Sequence, residues 1–218
     1  MGRLSRLVAR GARDEGMTLV ELLVAMFVMG FVMLVFTSVL ASVQRGVVAQ
    51  ENLSRTLDQT RLAVQQLDRE IRSGNVLYDP AMENNGVASC DGCLPGYTLR
   101  VYTQSNADTR GGYQCVLWQI DAKQQLLTRR WPAGKPLAAT GWRLVASGIV
   151  NRDLSQQAFS IETDPLKGER TVNIVFSVNE DLEGRPGQTV QIDSSLTGRN
   201  TSYDYPLNVC ASVPAEGG

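Results

Sequence analysis

The chain contains no histidine, and this absence excludes several functional classes at once. Without imidazole there can be no Ser-His-Asp triad, no histidine general base and no zinc site with histidine ligands. The sequence also lacks a glycine-rich phosphate loop after a predicted strand, an internal repeat and a low-complexity tract. We find no nucleophile beside a base, and we predict that the protein is not an enzyme and holds no metal or cofactor.

The chain has almost no net charge, but its basic and acidic residues are unevenly distributed. The 218 residues carry a net charge of −1, and the composition excludes a disordered chain, a collagen and a polytopic membrane protein. Residues 1–13 contain four arginines and no acid, whereas residues 75–218 contain 12 basic and 15 acidic residues. The acidic excess of the larger part argues against a protein that coats nucleic acid, which would need a basic face.

Cysteine is absent from the first 89 residues, and the four cysteines are Cys90, Cys93, Cys115 and Cys210. An even set of this kind is consistent with two disulfides in an oxidising compartment. Three pairings exist, and we favour Cys90–Cys93 with Cys115–Cys210. Cys90 and Cys93 form a CxxC, which could also be a redox motif or a metal knuckle. Redox motifs open a helix in a βαβ unit, whereas this one lies in a predicted loop, so we expect a structural disulfide.

The longest apolar run covers residues 17–43 and contains one ionisable residue, Glu21. As a helix it would extend roughly 40 Å at ~1.5 Å per residue, more than the ~30 Å hydrocarbon core. The four arginines before it predict a cytoplasmic N-terminus and an exported remainder. A secretory signal cleaved at Val39-Leu40-Ala41 and a plain uncleaved anchor are alternatives, but a signal h-region has only about 7–15 residues.

Glu21 needs an explanation, because a carboxylate inside the bilayer costs on the order of 2.5–3.5 kcal/mol. It could lie shallow enough to reach the cytoplasmic interface. Cleavage between Gly16 and Met17 would offer another solution, since the new α-amino group of a neighbouring subunit could pair with Glu21. A buried pair of this kind is favourable only when both partners are present, and it would therefore fix the register of assembly.

The junction reads Gly16-Met17-Thr18-Leu19-Val20-Glu21-Leu22-Leu23. Together with the basic leader and the apolar run, it resembles the class III signal of type IV pilins and type II secretion pseudopilins. Two positions depart from the common pattern: Met17 stands in place of phenylalanine, and Glu15 in place of the usual basic residue. Farther along the chain, residues 61–72 resemble the exported helix of larger minor pilins and J-type minor pseudopilins.

The resemblance implies specific roles and partners. Prepilin peptidase would cleave after Gly16 and methylate Met17, Glu21 would guide docking into the filament, and the helix would loosen near Gly30. The other partners implied are further pilins or pseudopilins and the inner-membrane assembly platform. The protein would cross the inner membrane once and enter a periplasmic or extracellular filament.

A second helical segment is predicted over residues 44–74. Its apolar stripe consists of Leu53, Leu57, Thr60, Val64, Leu67 and Ile71. Charged residues, Glu70 among them, lie mostly off that stripe, and Ser73-Gly74 is a candidate C-cap. The stripe could form a coiled coil between copies, but we expect it to pack on the protein's own sheet.

Residues 75–218 are predicted to form a β-rich head. The predicted strands are 97–103, 114–121, 125–131, 142–146, 158–163, 171–178 and the closing stretch 188–200. Asp121-Ala122-Lys123 predicts a hairpin. With a cleaved leader (1–16), a transmembrane helix (17–43) and an amphipathic helix (44–74), the fold class is α+β, a long helix packed on a mainly antiparallel sheet.

Binding functions in the head are weaker hypotheses. Glu180, Asp181 and Glu183 could hold calcium, but they meet no known ligand spacing. Arg129-Arg130-Trp131 could contact DNA or a glycan by charge and stacking. Two alternatives to a filament subunit therefore remain: a membrane-anchored binding module, such as an adhesin or DNA-uptake receptor, and an anchored thiol oxidoreductase.

Overall fold

The computed structural model describes residues 18–83, 93–103, 112–162, 171–180, 184, 188–198 and 208–210. They form one long helix, α1 (Leu19–Arg72), two short 3₁₀ turns and eight strands. The strands are β1 (Gly74–Leu77), β2 (Thr98–Thr103), β3 (Gln114–Ile120), β4 (Leu126–Pro132), β5 (Arg143–Ala146), β6 (Phe159–Ile161), β7 (Thr171–Val178) and β8 (Val190–Thr197). The predicted α+β fold is confirmed. The contacts divide the chain into two units between Ala49 and Gln50, inside α1.

In the first unit, α1 begins with a side-chain cap. The hydroxyl of Thr18 accepts the backbone N–H of Glu21 at 3.3 Å and satisfies one of the free donors of the first turn. Farther along, the hydroxyls of Thr37 and Ser38 donate to backbone carbonyls of the preceding turn, at 2.9–3.0 Å. These polar groups are therefore satisfied within the helix, as a helix surrounded by lipid requires.

The second part of α1, residues 50–72, is amphipathic and packs on the sheets. Its buried side chains are Thr56, Thr60, Ala63, Leu67, Glu70 and Ile71. The helical periodicity predicted for the apolar stripe was right. The face that is buried is rotated relative to that stripe, because Leu53, Leu57 and Val64 are only partly buried. Glu70 lies off the predicted apolar stripe, as the sequence indicated, but it is nevertheless fully buried. This packing on the chain's own sheets confirms the expectation that was preferred to a coiled coil.

The head contains two antiparallel sheets. The order in the larger sheet is β1-β2-β3-β4-β5, and that in the smaller is β6-β7-β8, so sequential strands are neighbours within each sheet. The hairpin predicted at Asp121 joins β3 to β4, and its carboxylate accepts the N–H groups of Lys123 and Gln125 at 2.8 and 2.9 Å. Strand β1 was not predicted from the sequence.

The larger sheet is buried on both faces. Alternate residues such as Val116 and Trp118 face α1 and the core shared with β7. Their neighbours Cys115 and Leu117 point to a second cluster on the opposite face, together with Trp131 and Cys210. Burial on both faces explains why these strands show no clear hydrophobic alternation, whereas β7 does.

The helix ends at Arg72 by a different device from the one predicted. Gly74 is not a left-handed cap; it is the first residue of β1 and pairs with Thr103. A Cβ atom there would lie 3.0 Å from the carbonyl oxygen of Ile71, so the tight approach of strand to helix requires glycine. The cap comes from hydroxyls: Ser73 donates to the carbonyl of Arg69 at 2.8 Å, and Thr103 to that of Glu70 at 3.0 Å.

Candidate functional site

The first unit presents an exposed apolar surface. Between residues 19 and 48, twenty large apolar side chains are 45–80 % exposed. Patches of this extent mark membrane or protein interaction sites. Among the described residues, α1 is the one helix long and apolar enough to cross a membrane, and none of its most apolar window is buried.

Glu21 lies in the first turn of α1 and is exposed. Among the described residues, no side chain or backbone N–H donates to its carboxylate, which is therefore free to bind a group from outside the chain. Thr18 and Glu21 also form the S/T-x-x-E pattern of a capping box, a local signal that the sequence analysis missed. Negative charge at a helix N-terminus is favoured by the macrodipole. Gly16 and Met17 lie outside the described residues.

Gly30 lies inside the continuous helix α1. A Cβ atom at this position would meet nothing within 4 Å, so no contact with another described residue accounts for a glycine here. The loosening of the helix at Gly30 concerns the assembled state and stays a prediction.

The three described cysteines, Cys93, Cys115 and Cys210, are all disulfide-bonded. Cys115 and Cys210 form a disulfide with a Cα–Cα distance of 5.7 Å. Cys93 is also disulfide-bonded, whereas Cys90 lies outside the described residues, and its pairing stays a prediction. In the described part of the chain there is no cluster of three potential metal ligands. Of the proposed calcium site only Glu180 is described, and it accepts a hydrogen bond from the hydroxyl of Thr56.

The three residues Arg129-Arg130-Trp131 do not form one surface. Because they lie on strand β4, their side chains alternate between the two faces of the sheet. Trp131 is buried in the second cluster, and Arg129 stacks on Trp142 at 5.8 Å while its Nε donates to the carbonyl of Thr140 at 2.9 Å. The hypothesis of a combined charge-and-stacking site for DNA or a glycan is therefore wrong in geometry.

Glu70 is the centre of a buried polar network on the helix-facing side of the sheet. It accepts hydrogen bonds from Gln66 Nε2 at 3.0 Å and from Trp118 Nε1 at 2.6 Å, and it forms an ion pair with Arg130. Burial raises the pKa of the Glu70 carboxyl, although the charge of Arg130 opposes the shift. Trp118 and Arg130 lie 48 and 60 residues from Glu70 in the sequence, so the pattern along the helix could not reveal this network.

A second buried ion pair fixes the opposite face. Arg100 pairs with Glu83, and both side chains are almost fully buried. Arg100 Nη1 also donates to the carbonyl of Cys210 at 2.8 Å, and the hydroxyl of Tyr78 accepts the N–H of Cys210 at 3.0 Å. Burial raises the pKa of Glu83 and of Tyr78. The disulfide is thus supported by polar contacts at its C-terminal partner.

A groove lies beside the Glu70 network, between α1 and the edge strand β5. Its volume is about 640 Å³. Arg69, Arg130 and Arg143 line it together with neutral residues, and no carboxylate reaches its surface.

Comparison with known proteins gives one match. Residues 11–37 match the family model of the prokaryotic N-terminal methylation motif. This motif marks a class III signal peptide of the type IV pilin or pseudopilin kind, and it spans Gly16, Met17, Glu21 and Gly30. The resemblance seen in the sequence is thereby confirmed, and proteins with this motif are generally structural. The apolar helix and the motif are consistent with membrane anchoring and an extracellular filament.

The match covers the N-terminal segment and leaves the head unassigned. No match was found among curated proteins or among solved structures. The type of pilin is therefore not shown by comparison.

Proposed function

We propose that this protein is a minor pilin or minor pseudopilin, a structural subunit of a type IV pilus, competence or type II secretion filament. The observation that carries the proposal is the methylation motif at residues 11–37, which lies on the same helix that exposes twenty large apolar side chains. Motif and surface together support a helix that first lies in the membrane and later packs among other helices.

Processing is the first step of the proposed mechanism. The basic leader holds the N-terminus in the cytoplasm, and prepilin peptidase cleaves between Gly16 and Met17. Cleavage removes the leader arginines and creates an α-amino group, which the same enzyme methylates. A monomethylated amine still carries a positive charge, so it can still pair with a carboxylate.

Assembly is the second step. Apolar packing of residues 19–48 against the helices of other pilins supplies the affinity, and the assembly platform in the inner membrane delivers the subunit. Glu21 fixes the position of the subunit relative to its neighbours along the filament. Its carboxylate has no partner among the described residues and can pair with the N-terminal amine of a neighbouring subunit. Removing one partner of a buried ion pair costs about 3–5 kcal/mol, enough to exclude a subunit from the filament.

The head decides where in the filament the subunit acts. Residues 50–72 of α1 are occupied by the head's own core, which leaves residues 19–49 for contacts with other subunits. We place the subunit at the filament tip or in initiation, where a head can project without being repeated along the shaft. The buried Trp131 and the Cys115–Cys210 disulfide give no support to a receptor or oxidoreductase role.

The proposal is tested by substituting Glu21 in the native host. Glu21→Ala and Glu21→Gln should insert and be processed normally, while their amount in sheared filaments, normalised to the membrane fraction, falls at least ten-fold. Glu51→Gln is the matched control, because Glu51 is an exposed acid on the same helix and pairs only with Arg55. Normal incorporation of Glu21→Ala would refute the docking role.

A further inference from the structure

The groove between α1 and β5 is a concave surface that carries positive charge. Gln65 and Arg69 come from α1, Arg130 from β4, and Thr140 and Arg143 from the segment leading into and forming β5. Its volume of about 640 Å³ falls in the range of sites that hold a small ligand or a few side chains. All of these residues belong to the second unit of the chain.

The charges of this groove are only partly neutralised. Arg130 pairs with the buried Glu70. Arg143 Nη2 donates to the neutral Oε1 of Gln66 at 2.9 Å, and Arg69 forms no ion pair with any described residue. Among the described residues, the guanidinium groups of Arg69 and Arg143 therefore form no ion pair, although the charge of Arg143 also acts on the buried Glu70.

The walls of the groove are held in place. Gln66 is fixed by its bond to Glu70 and in turn orients Arg143. Thr140 is tied to Arg130 twice, since its N–H donates to the Arg130 carbonyl at 2.8 Å and its hydroxyl accepts the Arg130 N–H at 3.1 Å. A site prepared in this way spends little conformational entropy on binding.

We propose that this arginine groove binds an acidic peptide segment of a neighbouring protein, with carboxylates placed against Arg69 and Arg143. Guanidinium groups bind carboxylates through paired, charge-assisted hydrogen bonds. No aromatic side chain lines the groove, so the stacking platform that single-stranded nucleic acids use is missing. The acidic excess of residues 75–218 also repels a long polyanion.

The identity of the neighbour as another filament subunit rests on the proposed function, but binding itself does not. The test uses the full chain in non-ionic detergent and a fluorescein-labelled hexaglutamate peptide, followed by fluorescence anisotropy at low salt. A dT12 oligonucleotide with the same label is measured in parallel. Neither measurement requires processing or filament assembly, so failure here leaves the proposed function intact, and failure of the filament test leaves this proposal intact.

The key variant is Arg69→Gln with Arg143→Gln, and the matched control is Arg55→Gln with Arg61→Gln. Both remove two exposed arginines of the second unit, but Arg55 and Arg61 lie outside the groove and pair with acids on the helix. We expect the groove variant to bind hexaglutamate at least ten-fold more weakly, and the control to change less than two-fold. Equal weakening in both variants, unchanged binding in the groove variant, or tighter groove-dependent binding of dT12 would overturn the proposal.

Discussion

Two of the three glutamates of helix α1, Glu21 and Glu70, are in opposite situations. Glu21 is exposed in the first turn, and no described residue binds its carboxylate. Glu70 is fully buried near the other end and receives donors from Gln66, Trp118 and Arg130. One helix thus contains an acid whose partners are all within the chain and an acid that has none among the described residues.

The difference separates folding from assembly. The donors of Glu70 come from α1, β3 and β4, so this acid joins the helix to the head's sheet. Glu21 belongs to a surface that the chain leaves exposed, and its partner must come from another molecule if it is to enter an apolar environment. The two residues should therefore respond differently to the same substitution.

The largest expected effect is on head stability. Glu70→Ala leaves the indole N–H of Trp118 and the guanidinium of Arg130 without their acceptor, and should lower the free energy of unfolding by about 3–5 kcal/mol. The measurement is urea unfolding of the full chain in detergent, followed by tryptophan fluorescence. The chain's three tryptophans are Trp118, Trp131 and Trp142, which all lie in the head.

Glu21→Ala is the paired variant in the same measurement. Because Glu21 lies in the first unit and no described residue binds its carboxylate, its substitution should change the unfolding midpoint of the head by no more than experimental error. A destabilisation similar to that of Glu70→Ala would show that the two acids are not separated in function.

The second effect concerns the opposite face of the sheet. The Cys115–Cys210 disulfide spans 95 residues and should contribute about 4–5 kcal/mol in the chain-entropy model, with a usual observed range of about 2–4 kcal/mol. Cys115→Ala with Cys210→Ala should therefore lower head stability by about 2–4 kcal/mol without reducing membrane insertion. A loss below about 0.5 kcal/mol would mean that the Arg100 and Tyr78 contacts alone hold Cys210.

The smallest effect is a pH dependence. Burial raises the pKa of Glu70 above its ordinary value of 4.5, so its contribution to stability is fully present below pH 4.5 and is lost as pH rises through the raised pKa. Arg130 and Arg143 face this carboxyl and oppose the shift. Glu83 acts in the same direction on the other face, where it is paired with Arg100.

We therefore expect the wild-type unfolding midpoint to rise relative to that of Glu70→Gln as the pH is lowered from 7.5 towards 5. The comparison with Glu70→Gln isolates Glu70, because Glu83 contributes equally to both proteins. Parallel pH profiles of the two proteins would show that Glu70 stays ionised throughout this range.

The sequence predicted the first unit better than the second for a physical reason. The signal, the apolar run and Glu21 are local patterns, and the family match confirms the motif that they form. The burial of Glu70 was not predicted, because it depends on Trp118 and Arg130, which only the folded sheet brings to the helix. From the sequence alone, a charged residue on a helix is predicted to be exposed unless its distant partners are known.

In the head, too, local patterns could be predicted from the sequence and long-range contacts could not. Strand β7 was predicted at its observed bounds because apolar residues recur at every second position from Val172 to Val178, and the Asp121 hairpin because turn residues act locally. Strand β1 was missed because it begins only one residue after the helix ends. Gly74 was predicted to be part of a helix cap, whereas the reason for a glycine there is the close packing of β1 against the end of the helix. The arginine groove unites α1 with the region around β5, so no stretch of sequence displayed it.

The proposed role as a filament subunit depends most on processing between Gly16 and Met17, and mass spectrometry of the mature N-terminus tests this step directly. The protein is isolated from membranes of its native host, and its N-terminal peptide is sequenced. The account predicts a chain that begins with N-methylated Met17. An intact Met1, or a chain cleaved after Ala41 within the segment that forms α1, would contradict it.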